Sequence, residues 1–302
     1  MPRCFNTDGP CHAATHYLLP PLRRLPEVHR LIEQQCFWVL HSPRLVGKTT
    51  VLRALAAELT ASNCYAALYV SFNEGAVAGD DFAEVQRAIL SRIHHGARLH
   101  LPAELCPPPF PKAPESTLLD SALSSWARTC PRPLVLFFDE IDALSGLSLL
   151  SVLRQLRAGF PDRPVAFPSS VVLCGLHEMR DYKVTSGAQD RMSAASFFNI
   201  TAESLTLRNF TRDEVAELYQ QHTDDTGQMF LPEAIDRAFY WTQGQPWLVN
   251  ALWWSSWYPT GVKRSQPLMW TLPRTFSSSA RAPTFITSLS TCESRVCVAS
   301  LI

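Results

Sequence analysis

The sequence has no excess of either charge: 27 Lys plus Arg stand against 27 Asp plus Glu. No global field therefore draws the chain toward nucleic acid or anionic lipid, so a nucleic-acid partner is not indicated and any polyanion must be held locally. It also lacks a run of about 18 uncharged apolar residues, which argues against a transmembrane helix. The opening MPRCFNTDGPCHAATHY lacks the continuous apolar segment of a secretory signal, so the expected location is cytoplasmic. Nine cysteines are present without a Cys-x-x-Cys pair, which reads as reduced thiols and not as a disulfide framework. Cys36 and Cys174 stand inside apolar runs and are expected in the core. Cys4, Cys11, His12 and His16 follow no familiar zinc spacing and are expected in a packed, hydrogen-bonding loop. Finally, there is no Asn-Lys-x-Asp string of the kind that reads guanine.

What is present is an alternation of apolar runs. Leu25, Val28, Leu31 and Ile32 recur at helical spacing. CFWVL (36–40) then reads as a buried strand, and KTTVLRALAAELT as a helix. CYAALYVSF (64–72), PLVLFF (133–138), SSVVLCGL (169–176) and FNITAESLTL (198–207) read as further strands. Helices are expected at 81–95, 116–130 and over LSLLSVLRQLRAGF. LPAELCPPPFPKAP interrupts them as a surface loop or insertion, since proline removes an amide donor and restricts its predecessor. Strands alternating with helices predict an α/β fold: three αβα layers around a mostly parallel, five-stranded sheet. From residue 208 the pattern is helical only. Thr211 and Glu214 have capping-box spacing, and Gly244-Gln245-Pro246 separates two later helices.

Between the first strand and its helix lies HSPRLVGKTT (41–50). The phosphate-binding pattern is glycine, four residues, then Gly-Lys-Ser/Thr, and its place between strand and helix carries more weight than the string. The segment Ser42, Pro43, Arg44, Leu45, Val46, Gly47, Lys48, Thr49 and Thr50 departs only at Ser42, where a small residue can still begin the turn. Gly47 would turn amides toward phosphates, Lys48 would reach the β- and γ-phosphates, and Thr49 would ligate Mg²⁺. A lone Gly-Lys-Thr could equally open any helix. The strand ending in Asp139 and Glu140 tips the balance, because open α/β sheets bind ligands at the carboxyl ends of their strands. Asp139 would hold Mg²⁺ through water, and Glu140 would orient and deprotonate an attacking water.

With both motifs in place, the chain resembles the bacterial AAA-like P-loop ATPases, relatives of the archaeal and STAND-type ATPases, from about Phe5 to Leu252. The residues that carry it are the Pro-Arg-x-x-Gly-Lys-Thr loop and the apolar strand ending in Asp-Glu. FNTDGPCHAATHYLLPP resembles the family's opening segment near the base and the start of the sheet, and TQGQPWLVNAL its Gly-x-Pro element. The resemblance implies Mg-dependent ATP hydrolysis to ADP and phosphate, coupled to conformational change. It also implies a helical lid whose Pro246 lies close to the nucleotide base and sugar, and a polar sensor for which His177 is the candidate, with Glu178 beside it. An arginine finger at Arg180 or Arg191 would act in a homo-oligomer; a protein partner is the alternative. A nucleotide-gated interaction module with little turnover, or an inactive remnant, are the other readings.

The expected division is an ATPase core over 1–207, a lid over 208–254 and an atypical tail over 255–302. That tail holds ten serines, six threonines, one glutamate and no aspartate. It reads as an aromatic docking surface, as a lid face without its cover, or as the product of a shifted reading frame.

Overall fold

A computed structural model describes residues 3–73, 81–144, 146–176 and 201–257, with the backbone alone over 254–257. The chain forms two units, one of Pro20–Arg208 and one combining Met1–Leu19 with Asn209–Ile302.

In the first unit, β1 (Phe37–His41), β2 (Ala66–Ser71), β3 (Leu134–Asp139), β4 (Ser170–Gly175) and β5 (Thr201–Thr206) make one sheet. Its order is β2-β3-β4-β1-β5, and every neighbouring pair is parallel. Parallel neighbours need crossover connections. These run through α2 (Lys48–Ala61), α3 (Phe82–His100), α4 (Leu118–Thr129) and α5 (Gly146–Gly159), with α1 (Val28–Glu33) ahead of β1.

Alternation along the strands sorts side chains to two faces. Val39, Leu68, Leu136, Phe138 and Leu173 pack with α3, α4 and α5, whereas Trp38, Leu40, Phe137, Val172 and Cys174 pack with α1 and α2. This is the three-layer αβα arrangement. The central strands β3 and β4 are buried along their whole length, which explains their uninterrupted apolar sequence. The edge strand β5 alternates between half-buried and exposed positions. Cys174 is in the core, but Cys36 is only half-buried because it precedes the first residue of β1.

The proline-rich passage is irregular, as expected, but it is not a loose insertion. Leu101 and Leu105 are buried, and the Leu105 carbonyl accepts the indole N–H of the fully buried Trp126 at 2.9 Å. Tryptophan is buried without loss only where that N–H finds a partner.

The second unit contains α6 (Arg212–Thr226), α7 (Pro232–Thr242) and α8 (Pro246–Trp257). The capping box forms: Thr211 Oγ1 accepts the Glu214 amide at 3.2 Å and Glu214 Oε2 accepts the Thr211 amide at 2.8 Å. The opening segment, placed with the core by its sequence, belongs here instead. Phe5 and Tyr17 join Leu218, Tyr219, Val249 and Trp253 in one apolar cluster. The Trp247 indole donates to Thr7 O at 2.8 Å, and Arg3 pairs with Asp225 at 2.9 Å. The opening segment thus packs against the three helices and shares their apolar cluster. Cys4 and His16 form a backbone bridge there, the Asn6 amide donates to Cys11 Sγ at 3.3 Å, and the His12 amide to His16 Nδ1 at 3.0 Å.

Candidate functional site

β1 lies between β4 and β5, so the order of connections reverses beside it, and the crevice outside the carboxyl ends of the strands opens at such a point. The segment 42–47 leaves β1 at this end and runs into α2. Ser42 is 1% exposed, and its amide donates to Gly175 O at 3.4 Å, prolonging the β1–β4 pairing. Its backbone is not left-handed, so the first position of this loop does not require glycine. The left-handed positions are Leu45 (φ 65) and Gly47 (φ 97). At Gly47 a Cβ would come within 3.1 Å of Arg24 Nη2, so both conformation and space favour glycine. Leu45 adopts that conformation with its side chain exposed; burial therefore does little to offset the strain.

Gly47 is the N-cap of α2 and offers no side-chain cap, which leaves the amides of the first turn directed outward at the positive end of the helix dipole. Lys48 bends back over the loop, with Nζ donating to Ser42 O at 2.6 Å and to Pro43 O at 3.0 Å. Burial lowers its pKa, while Cys174 and Asp139 oppose that shift. An ammonium has three donors, so one remains for an anion after these two bonds. Arg44 is exposed at the outer side of the loop, Val46 is buried, and Thr50 lies in the first turn of α2.

Thr49 and Asp139 meet directly. Thr49 Oγ1 donates to Asp139 Oδ2 at 2.7 Å, and the Glu140 amide donates to Oδ1 at 2.9 Å. Asp139 is 2% exposed, so these donors replace water around a buried carboxylate. Glu140 is exposed, left-handed at φ 60, and accepts a hydrogen bond from Ser71 Oγ. A hydroxyl and a carboxylate converging at a helix N-terminus are hard oxygen ligands, a set that fits Mg²⁺.

Three contributors were not singled out from the sequence. The buried Arg24 donates through Nη1 to Val46 O and Arg208 O, both at 2.9 Å, and so braces the loop from behind. Tyr69 donates its hydroxyl to Asp139 Oδ2 at 2.9 Å, and Ser71 engages Glu140. The signal for the last two was present in β2: Tyr69 and Ser71 are polar residues two apart, on one face of an otherwise apolar strand. Arg24 had no such signal, because its partners lie far along the chain. Pro246 belongs to the helical unit, where it opens α8. The neighbouring Gly244 (φ 69) has a local reason there, since a Cβ would come within 1.9 Å of Phe210 O. His177, Glu178, Arg180 and Arg191 lie outside the described residues, as does most of the tail.

No protein-family model and no curated protein sequence matches the chain. Solved structures do match. The Walker-type ATPase of Pyrococcus abyssi aligns at TM-score 0.56 and 14% identity, over 81% of this chain and 69% of that one. Cdc6p of Pyrobaculum aerophilum aligns at TM-score 0.49 and 12% identity, over 77% and 59% of the two chains. AMPPCP-bound DnaA of Aquifex aeolicus aligns at 0.47 and 13%, over 80% and 63%. The sheet order and the first of these alignments together show the three-layer αβα fold, shared with that Walker-type ATPase. Among the described residues no helix is long and apolar enough to cross a membrane.

Proposed function

We propose that this chain binds Mg–ATP at the loop between β1 and α2 and hydrolyses it to ADP and phosphate, coupling the cycle to a conformational change. The observation that carries the reading is the hydrogen bond between Thr49 and Asp139, because it joins the end of the loop to the end of β3 within one buried site. In this reading the amides from Arg44 to Thr50 and the Lys48 ammonium hold the phosphates. Thr49 and Asp139 hold the metal, which when bound neutralises charge on the β- and γ-phosphates. Glu140 takes the proton of the attacking water. Pro246 beside the base, His177 as sensor and Arg180 or Arg191 as finger complete the proposal, with turnover in a homo-oligomer; the lid is assigned to 208–254.

A second reading, a nucleotide-gated interaction module with little turnover, draws on a different observation. The carboxylate of Glu140 is already engaged by Ser71, so the proposed base is restrained. Titration calorimetry of the full chain with ATP, with and without Mg²⁺, tests the site. Saturable binding that is lost in Lys48→Ala supports it, and unchanged affinity in that variant refutes it. Single-turnover phosphate release then separates hydrolysis from binding alone.

A further inference from the structure

Asp139 Oδ2 accepts two hydrogen bonds that come from different elements. One is from Thr49 on α2 at 2.7 Å, the other from the Tyr69 hydroxyl on β2 at 2.9 Å. Tyr69 stands opposite Phe137 in the β2–β3 register, two residues before the pairing of Ser71 with Asp139, so its side chain shares the carboxylate's face of the sheet. The ring packs against the apolar layer beneath α1 and α2, and the Arg53 guanidinium covers it at 4.9 Å from the centroid. That placement leaves the phenol little freedom.

A carboxylate turns readily about its terminal torsion, which has broad minima. Two donors on Oδ2 and the Glu140 amide on Oδ1 restrict Asp139 to one orientation. Thr49 cannot fix that orientation alone, because the proposed site asks its oxygen to serve the metal as well. Tyr69 has no such second task. Its hydroxyl is the donor that can stay on Oδ2 while the other groups of the site engage a ligand.

We infer that Tyr69, clamped by Arg53, is a positioning residue that orients Asp139 toward the divalent cation of a bound nucleotide. This rests on the proposed nucleotide site. It assigns Tyr69 no contact with the nucleotide and no part in proton transfer; its effect passes through the carboxylate.

The test measures binding of a fluorescent ADP analogue to the full chain in EDTA and across a Mg²⁺ series. In the wild type, Mg²⁺ tightens binding. Tyr69→Phe keeps the ring and its contact with Arg53; it leaves affinity in EDTA unchanged and raises the Mg²⁺ midpoint about tenfold, the effect of losing one hydrogen bond to a charged group. In an Asp139→Ala background the same substitution adds no further shift, because the oxygen that accepts the Tyr69 hydroxyl is gone. An unchanged Mg²⁺ midpoint in Tyr69→Phe, or an equal shift in the Asp139→Ala background, overturns the inference while leaving the nucleotide site standing. Absence of Mg²⁺-dependent binding in the wild type overturns both.

Discussion

Thr49 on α2 and Asp139 on β3, 90 residues apart in sequence, are joined by a hydrogen bond of 2.7 Å. The bond ties the helix that follows the loop to β3, an interior strand of the αβα unit. Because Asp139 is buried, its donors contribute to folding as well as to the site. Thr49→Val keeps the shape and removes the donor. It should lower stability by about 1.5–3 kcal/mol, the range for one hydrogen bond to a charged group. Denaturant midpoints measure this, and a variant as stable as the wild type would show that the bond contributes nothing to folding.

Gly47→Ala probes the loop itself. A left-handed backbone costs an L-residue roughly 1–2 kcal/mol, and the added methyl would also press on Arg24 Nη2 at 3.1 Å. Arg24 then has to shift from Val46 O, loosening the segment on which phosphate binding depends. The expected result is a lower melting temperature together with weakened ATP binding. Ser42→Gly should behave differently, since Ser42 is not left-handed: the buried hydroxyl is lost and no strain is relieved. Full nucleotide affinity in Gly47→Ala would mean that the loop tolerates a side chain there.

Much of this was legible in the sequence, for a reason visible in β3 and β4. Both are buried on two faces, so their apolar runs are continuous and unmistakable. The strand–loop–helix passage around Gly47 was equally clear, because local chemistry dictates both the turn and the start of α2. What the sequence did not reveal depends on tertiary contacts. Nothing local shows that Phe5 and Tyr17 complete the core of the helices after residue 208, or that Arg24 reaches Val46 and Arg208. The left-handed Leu45 and Glu140 were hidden for a similar reason. Their side chains do not favour that conformation, so the surrounding structure must impose it.

Ser71→Ala tests whether the proposed base is restrained. Its hydroxyl is bonded to the Glu140 carboxylate, and the serine is half-buried at the end of β2. Removing that bond frees Glu140, and steady-state ATP turnover should rise by several-fold while ATP affinity stays constant. Glu140→Gln should bind ATP normally and lose about 100-fold or more in turnover, the usual contribution of a general base. Loss of turnover in Ser71→Ala would instead mean that the serine holds Glu140 in its working position.

His222 on α6 is 6% exposed, with Nδ1 3.2 Å from the Tyr17 hydroxyl and Nε2 3.4 Å from Gln228 Oε1. These partners suit a neutral ring that accepts from Tyr17 and donates to Gln228. Phe5 and Trp253 lie against it at centroid separations of 5.5 and 5.1 Å. Burial lowers its pKa below 6.5, and the opposing influences of Gln228 and Asp225 are smaller. In the window just below 6.5 the unfolded chain therefore takes up a proton that the folded chain refuses, so stability falls as the pH falls through it. His16 and His94 are shifted in the same direction, so the informative quantity is the difference between variants. Urea midpoints at about pH 7.5 and about pH 5.5 should fall less steeply in His222→Gln than in the wild type, since the substitution removes one of these titrating groups. Equal slopes would mean that His222 is protonated to the same extent in both states, and that its burial among Phe5, Tyr17 and Trp253 does not exclude the charge.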